Sequence, residues 1–463
     1  MARVRSFLTR AGKRARMLPN LFISYNKGVH LHTSRLRILL STRPRTLAGY
    51  LAKERSIRIR KVPVLASAAQ MKTAFVILGA LILEVAVFLI MVPVANPVHL
   101  RTTDFLNFYV GASIVHRGDG AHLYSRQVQD AEYESLVGYK SSQYFLHPPF
   151  EAVALAPLTA LSLKQAYIAW MLFNVALLGC LPLLLIPCVS FVNRRPYLLF
   201  LAFCFLPVVI ALNTGQDSII LLFVFSAAYL LVSRGKEFLA GLVLALVAIK
   251  FQYLAILVPL LLCWRRLRLL CGMVAGGALL GFISLLVTGA HGLLQYLDFV
   301  RSFDAHGGYG GLNPKVMVNA RGFLAGIGYA EHASTYGAWI GMLLVAATAL
   351  WMIRSQHESE SSLHFSLLIT IALVASPYAH FPDMTILVLP AVLAIDCVAT
   401  KASSHPKLLA SASAALFVIP HVLLSRGRHY WWENDVYLLF IVILLFAGSL
   451  LLEIAGRRTR HAT

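Results

Sequence analysis

Charged side chains are scarce in this chain. Only 13% of its 463 residues are Asp, Glu, Lys or Arg, about half the ~25% of an average soluble domain. So thin a polar coat excludes an ordinary cytosolic globule. A hydrophobic content of 58% excludes a disordered chain. Acids are the scarcest of all, and residues 1–72 hold Glu54 alone against 17 Lys and Arg. Most of the net charge of +21 sits in that arm. The rest of the chain is close to balance, so the basic pI does not argue for nucleic acid as a partner. The arm is expected to be a disordered cytoplasmic extension that can rest on anionic lipid heads. Met71-Lys72 before the apolar run TAFVILGALILEVAVFLIMVPV reads like a membrane-protein start, which makes residues 1–70 an extension to the membrane body.

Several motifs are also missing. There is no Gly-x-x-x-x-Gly-Lys-Ser/Thr loop and no Rossmann strand, which excludes a nucleotide-dependent cytosolic enzyme. No Asp-x-Asp pair is present to clamp a sugar nucleotide through a divalent ion. The six cysteines lie in or beside apolar runs without zinc-ligand spacing, and they read as packing residues. His357 and His364 read as solvated loop residues. Neither a metal nor a cofactor is expected.

What the chain has is apolar runs long enough to cross a bilayer. They lack the alternation of barrel strands, so they are helices. The expected fold is an all-α polytopic membrane bundle of about twelve spans: 71–94, 165–192, 197–212, 217–233, 238–250, 251–264, 268–290, 336–354, 363–377, 384–399, 407–424 and 435–454. The run 71–94 is too long for a signal-peptide core and is taken as a retained span. Loop charges set the orientation. Arg194-Arg195, Arg234 with Lys236, Arg265-Arg266, Arg354, Lys401 with Lys407, and the basic tail 456–463 fall on one side. That side is assigned to the cytoplasm, with both termini. Loops 95–164 and 291–335 fall outside, with Gln216, Lys250, Tyr378 and Arg426.

This assignment requires 238–264 to be two short helices. One straight span would put Lys250 at mid-membrane, at a cost of at least ~2.5 kcal/mol. Thirteen helical residues rise only ~20 Å, so a hairpin is expected, with its Lys250-Phe251-Gln252 tip at membrane depth and open to the outer side. The segment 148–162, behind Pro148-Pro149, is expected to be re-entrant or interfacial.

Polar residues collect at the outer ends. Asp104 follows the first span and is expected to start a short helix. It reads either as a helix cap or as a general base that deprotonates a hydroxyl. Gln216 and Asp217, Lys250 and Gln252, Arg321, and Tyr378, His380 and Asp383 join it, with His147 before the Pro-Pro. Each has a plainer reading as a cap or a lipid-head contact. Their shared side points to one cavity entered from the outer leaflet.

The order of these features resembles a known family. Asp104-Phe105 to Tyr109 comes first, then Leu123-Tyr124, Tyr144 to His147-Pro148-Pro149-Phe150, Gly215-Gln216-Asp217, Lys250-Phe251-Gln252, and Ser376-Pro377-Tyr378 to Asp383. The series is similar to the bacterial polyprenol-phosphate-mannose-dependent alpha-mannosyltransferases, glycosyltransferase family 87 of the C-type superfamily, over residues 71–400. The resemblance implies an integral enzyme of the bacterial inner membrane. Its donor would be a polyprenyl-phosphate sugar, mannose being the carried-over choice, and its acceptor a lipid or glycan at the outer face. Asp104 would be the catalytic base. A metal-free route is expected because a monophosphate leaving group carries less charge than a nucleoside diphosphate, and inversion is expected of a single displacement. From their chemistry and outer-side placement, Lys250, Arg321 and His380 are the candidates to bind the donor phosphate, and His147, Gln216, Asp217, Gln252, Tyr378 and Asp383 to line the substrate cavity. A transporter or flippase would show similar spans, but no internal repeat of the halves is visible. A non-catalytic scaffold for envelope assembly is the third class.

Overall fold

Proline and glycine punctuate a chain that is otherwise helical. In the computed structural model, residues 100–138, 144–305, 314–354, 361–425 and 435–462 are described. All belong to the unit Leu65–Thr463. The basic arm 1–70, the expected span 71–94, His357 and Arg426 lie outside the described residues.

The first helices are α1 (Asp104–His116), α2 (Arg126–Val137), α3 (Pro149–Leu155), α4 (Leu163–Leu185), α5 (Leu206–Thr214), α6 (Ser218–Ser233), α7 (Glu237–Leu244) and α8 (Phe251–Cys263). They are followed by α9 (Leu267–Ala305), α10 (Ala320–Gly326), α11 (Ala333–Arg354), α12 (Ser361–Ala375), α13 (Val388–Ala399), α14 (Pro406–Leu424) and α15 (Leu439–Ala462). Among the described residues the only strand-like pairing is an isolated bridge between Met317 and His380. The protein is an all-α polytopic membrane protein.

Seven helical segments of the described residues are long and apolar enough to cross a membrane: Leu163–Leu185, Glu237–Cys263, Leu267–Val300, Ala330–Arg354, Phe381–Ala399, Pro406–Leu424 and Val436–Arg457. The expected list of about twelve also contains shorter pieces, and these are shorter for local reasons. The segment expected at 197–212 is a 3-10 run, Pro196–Cys204, followed by α5. Pro207 at the start of α5 has no N–H to extend the preceding turn. α6 has 16 residues and α12 has 15. The segment behind Pro148-Pro149 is α3 continued by a 3-10 turn, Ala156–Ala160. The expected 268–290 runs on as α9 to Ala305, bent at Gly289, whose φ of 66° is outside helical space.

Glu237–Cys263 qualifies by length, yet it cannot be one straight crossing. Its 27 residues would separate its ends by ~40 Å as a helix. Glu237 and Arg266 form an ion pair of 2.6 Å instead. The reversal is at Lys250, where φ −114° and ψ 77° interrupt the helix. α7 therefore enters, turns at Lys250 and returns as α8, as the charge argument requires. Gly241 and Gly272 let α7 lie directly on the start of α9. A Cβ at Gly241 would be 2.0 Å from the Leu269 carbonyl oxygen, and one at Gly272 would be 2.0 Å from the Phe238 oxygen. Small residues allow such contact where no hydrophobic drive separates helix from lipid.

Connections segregate to two ends. At one end the Tyr109 hydroxyl donates to the Leu161 carbonyl, and the Tyr167 hydroxyl donates to the Asn213 carbonyl. At the other, the Phe191 N–H donates to Asp396, and buried Glu453 accepts from Ser404 and His405 N–H and from Arg457. His364 is not the solvated loop residue expected. It lies in α12, inside the expected span 363–377, fully buried with Trp264 and Trp351 against its ring. α9 and α11 leave most of their surface uncovered, with large apolar side chains such as Phe282, Leu286, Trp339 and Leu343 exposed. The segment Phe381–Ala399 is mostly buried and forms the centre of the bundle.

Candidate functional site

Gly215 does the first piece of positioning. It ends α5 in the left-handed region, φ 74°, where glycine is favoured. The loop is held by the Trp170 indole N–H, which donates to the Gly215 carbonyl at 2.8 Å. A Cβ at Gly215 would be 2.7 Å from the Cβ of Phe105, so α1 packs directly on this turn. Gln216 and Asp217 thereby face α1 and the hairpin tip.

Asp104 is the first residue of α1, and Thr103 occupies the N-cap position with its hydroxyl turned to the Leu100 carbonyl. The Asp104 carboxylate points away from capping duty: its Oδ2 accepts a hydrogen bond of 2.7 Å from Gln216 Nε2. Burial raises its carboxyl above the ordinary aspartate value, against the opposing pull of the Gln216 hydrogen bond and the Lys250 charge. Helix α1 is itself braced by Glu132 of α2, which accepts from Ser113 at 2.6 Å and pairs with Arg117.

Lys250 stands at the hairpin turn and is buried. Its ammonium donates to Asp383 and, at 3.3 and 3.4 Å, to Gln216 Oε1 and Ser218 Oγ. Asp217 Oδ1 lies 2.8 Å from the same nitrogen. Asp383 also accepts from Ser218 Oγ at 2.8 Å and from the His380 N–H at 2.9 Å. The second carboxylate oxygen thus does the capping that its position suggests, while the first serves the site.

These groups meet at a cavity of ≈ 180 Å³. Asp104, His147, Gln216 and Lys250 line it from one direction, and Gln252, Tyr378, His380 and Asp383 from another. Apolar lining comes from Phe251 and Val300 among others. Asp217 is not on the wall but lies directly behind, fully buried, against Lys250. Arg321 is not on the wall either. Its guanidinium lies over the Tyr378 ring, 5.3 Å from the centroid. It is carried there by α10, whose cap Asn319 accepts from the Gly322 N–H and donates to the Ser376 carbonyl. His380 is half-buried, with its Nε2 shielded and lacking a hydrogen-bond partner. That burial depresses its pKa to about 4, so the ring is neutral at physiological pH and offers the cavity a donor or an acceptor.

One side chain here was missed by sequence reasoning. Glu151 of α3 is buried, and its Oε2 lies 2.7 Å from His147 Nδ1. Asp217 is 3.6 Å from the same nitrogen. The i, i+4 spacing of His147 and Glu151 is visible in the sequence, but it has meaning only if the two lie along a helical turn, and Pro148-Pro149 obscures that. Among the described residues, His147, Glu151 and Asp217 form a group of the right types and spacing to hold a metal ion.

The arrangement has a buried carboxylate beside a polar cavity with an apolar rim, at one end of a membrane bundle. Comparison with known proteins agrees in kind. The family model of glycosyltransferase family 87 matches residues 145–377, half of the chain. Asp104 lies ahead of the matched stretch, whereas His147, Gln216, Lys250 and Arg321 lie within it. No curated protein and no solved structure matches the chain.

Proposed function

The chain belongs to glycosyltransferase family 87, and we propose that it moves a sugar, mannose being the expected one, from a polyprenyl phosphate to a lipid or glycan acceptor at the outer face of a bacterial inner membrane. The observation that carries this reading is the Asp104 carboxylate, held by Gln216 at 2.7 Å on the wall of a cavity that also receives Lys250 and His380. A lipid-linked donor suits a cavity within a membrane bundle whose rim includes Phe251 and Val300.

In the proposed reaction the acceptor hydroxyl oxygen attacks the anomeric carbon while Asp104 takes its proton. The bond from that carbon to the phosphate oxygen breaks, the electron pair leaves with the phosphate, and the configuration inverts. Lys250, Arg321 and His380 are the groups assigned to the phosphate. Positive potential placed where negative charge develops lowers the barrier more than any other single device of such a site. Lys250 acts chiefly as a field, because its hydrogen bonds are already committed. Arg321 acts from behind Tyr378, and His380 supplies a neutral donor. Purified protein assayed with a panel of polyprenyl-phosphate sugars and labelled acceptor lipids tests the proposal. Transfer with inversion is expected, and its loss in Asp104→Asn. Transfer with retained configuration would reject the single displacement.

A further inference from the structure

Charge does not balance around the cavity. Four carboxylates, of Asp104, Glu151, Asp217 and Asp383, surround one buried lysine, Lys250, with His147 beside Glu151 and Asp217 and Arg321 set back behind Tyr378. A buried carboxylate requires a partner, and a phosphate brought to this cavity would add further negative charge. The imbalance is greatest behind His147. Lys250 directs its hydrogen bonds to Asp383, Gln216 and Ser218, and it is ion-paired with Asp217 Oδ1 at 2.8 Å. His147 Nδ1, both carboxylate oxygens of Glu151 and both of Asp217 are buried without a hydrogen-bond partner. Nδ1 is 2.7 Å from Glu151 Oε2, an ion-pair contact that leaves Glu151 Oε1 without a partner. Two buried carboxylate oxygens without a close partner, Glu151 Oε1 and Asp217 Oδ2, beside three atoms held by ion pairs alone, call for a bound species.

We propose that His147, Glu151 and Asp217 bind one divalent cation at the edge of the cavity. Their donor atoms lie within 4.8 Å of one another, so a shift of a few tenths of an ångström brings all three within reach of bonds of ~2.0–2.2 Å to a shared ion. One imidazole nitrogen with carboxylate oxygens suits Mn²⁺ or Zn²⁺ better than Ca²⁺, which prefers six to eight oxygens. Glu151 and Asp217 are closed off from solvent, and His147 reaches the cavity wall, so the remaining coordination positions open toward the cavity. A phosphate oxygen of the proposed donor could fill one of them. Two added positive charges would offset the carboxylate excess, which a water molecule in the same place could not do. Only the phosphate contact rests on the proposed function; the orphaned ligand set stands without it.

The test uses the full chain in detergent, stripped with a chelator and titrated calorimetrically with MnCl₂ and ZnCl₂, without donor or acceptor. Saturable binding of one ion per chain is expected. It should be weakened by about 10- to 100-fold or more in Glu151→Gln and in Asp217→Asn, and unchanged in Glu134→Gln, an exposed acid of α2. Absence of saturation, or unchanged affinity in the two site variants, overturns the proposal and leaves water with a protonated His147 as the occupant. Should the variants fail to fold, electron spin echo of Mn²⁺ on the unaltered protein decides the matter. A ¹⁴N modulation from an imidazole ligand supports the site, and its absence overturns it. A chain that binds Mn²⁺ in this way but transfers no sugar would refute the function and leave the cation site standing.

Discussion

Asp104 is the residue on which the proposed chemistry most depends, and its environment predicts how it behaves. Asp104→Asn keeps the shape and the contact with Gln216 but removes the basicity. Turnover should fall by on the order of 10²–10⁴-fold, with the variant still folded and donor still bound. Near-normal turnover would move the base to Asp217, Asp383 or His147. The pH profile adds a second check. Burial raises the Asp104 carboxyl above its ordinary value, and the base form is lost as pH falls through that raised value. The acid limb of the rate profile should therefore lie above the ordinary aspartate range. The Gln216 hydrogen bond pulls the other way, so Gln216→Leu should move the acid limb to still higher pH. An acid limb that does not move would show that Gln216 holds the loop and not the charge.

Among the helices, the α7–α8 hairpin decides where the site is. Its reversal brings Lys250 to the same end as Gln216 and Tyr378, and it depends on close packing of α7 on α9. Gly272→Leu places side-chain carbons where the Phe238 carbonyl oxygen already lies, 2.0 Å from an ideal Cβ. Backbone yields little, so the cost should be at least about 1–3 kcal/mol. It would be read as a lowered melting temperature of the detergent-solubilised protein. Gly277→Leu, where a Cβ meets nothing within 4 Å, is the matched control. The hairpin itself can be tested by joining its feet. Cysteines replacing Glu237 and Arg266, in a background free of the six native thiols, should be linked by a short bifunctional reagent. A straight helix over the same stretch would keep them ~40 Å apart and unlinked.

For the molecule as a whole the question is which end faces out. The ion pairs of Arg266 and Arg457 lie at the end away from the cavity, and by the positive-inside rule we propose that this end faces the cytoplasm. A membrane-impermeant thiol reagent applied to intact cells should label Glu134→Cys, an exposed position of α2, and should leave Lys236→Cys unlabelled until the membrane is opened. The reverse pattern would invert the topology and place the cavity at the cytoplasmic face, where a nucleotide-linked donor would have to be reconsidered.

Much of this was legible in the residues alone, for a physical reason. A bilayer has one axis, so hydropathy and loop charge suffice to place segments along it. The expected 217–233, 336–354 and 407–424 correspond to helices Ser218–Ser233, Ala333–Arg354 and Pro406–Leu424. The reversal at Lys250 followed from the cost of burying an ammonium. The same reasoning located polar residues at one end, and eight of the ten singled out line the cavity. Length misled where proline or a 3-10 turn shortened a helix, as at Pro196–Cys204, because hydropathy does not register helix type. What one axis cannot supply is the arrangement around it. That Arg321 lies behind Tyr378 while Lys250 is enclosed by Asp217 and Asp383 depends on which helices are neighbours. The class of protein, the course of its segments and the end at which these polar residues collect were thus already written in residue order. The meeting of Glu151, silent in the sequence, with His147 and Asp217 was not. α4 and α5 intervene in the chain between Glu151 and Asp217, no local pattern spans them, and packing of helices against one another is what closes that distance.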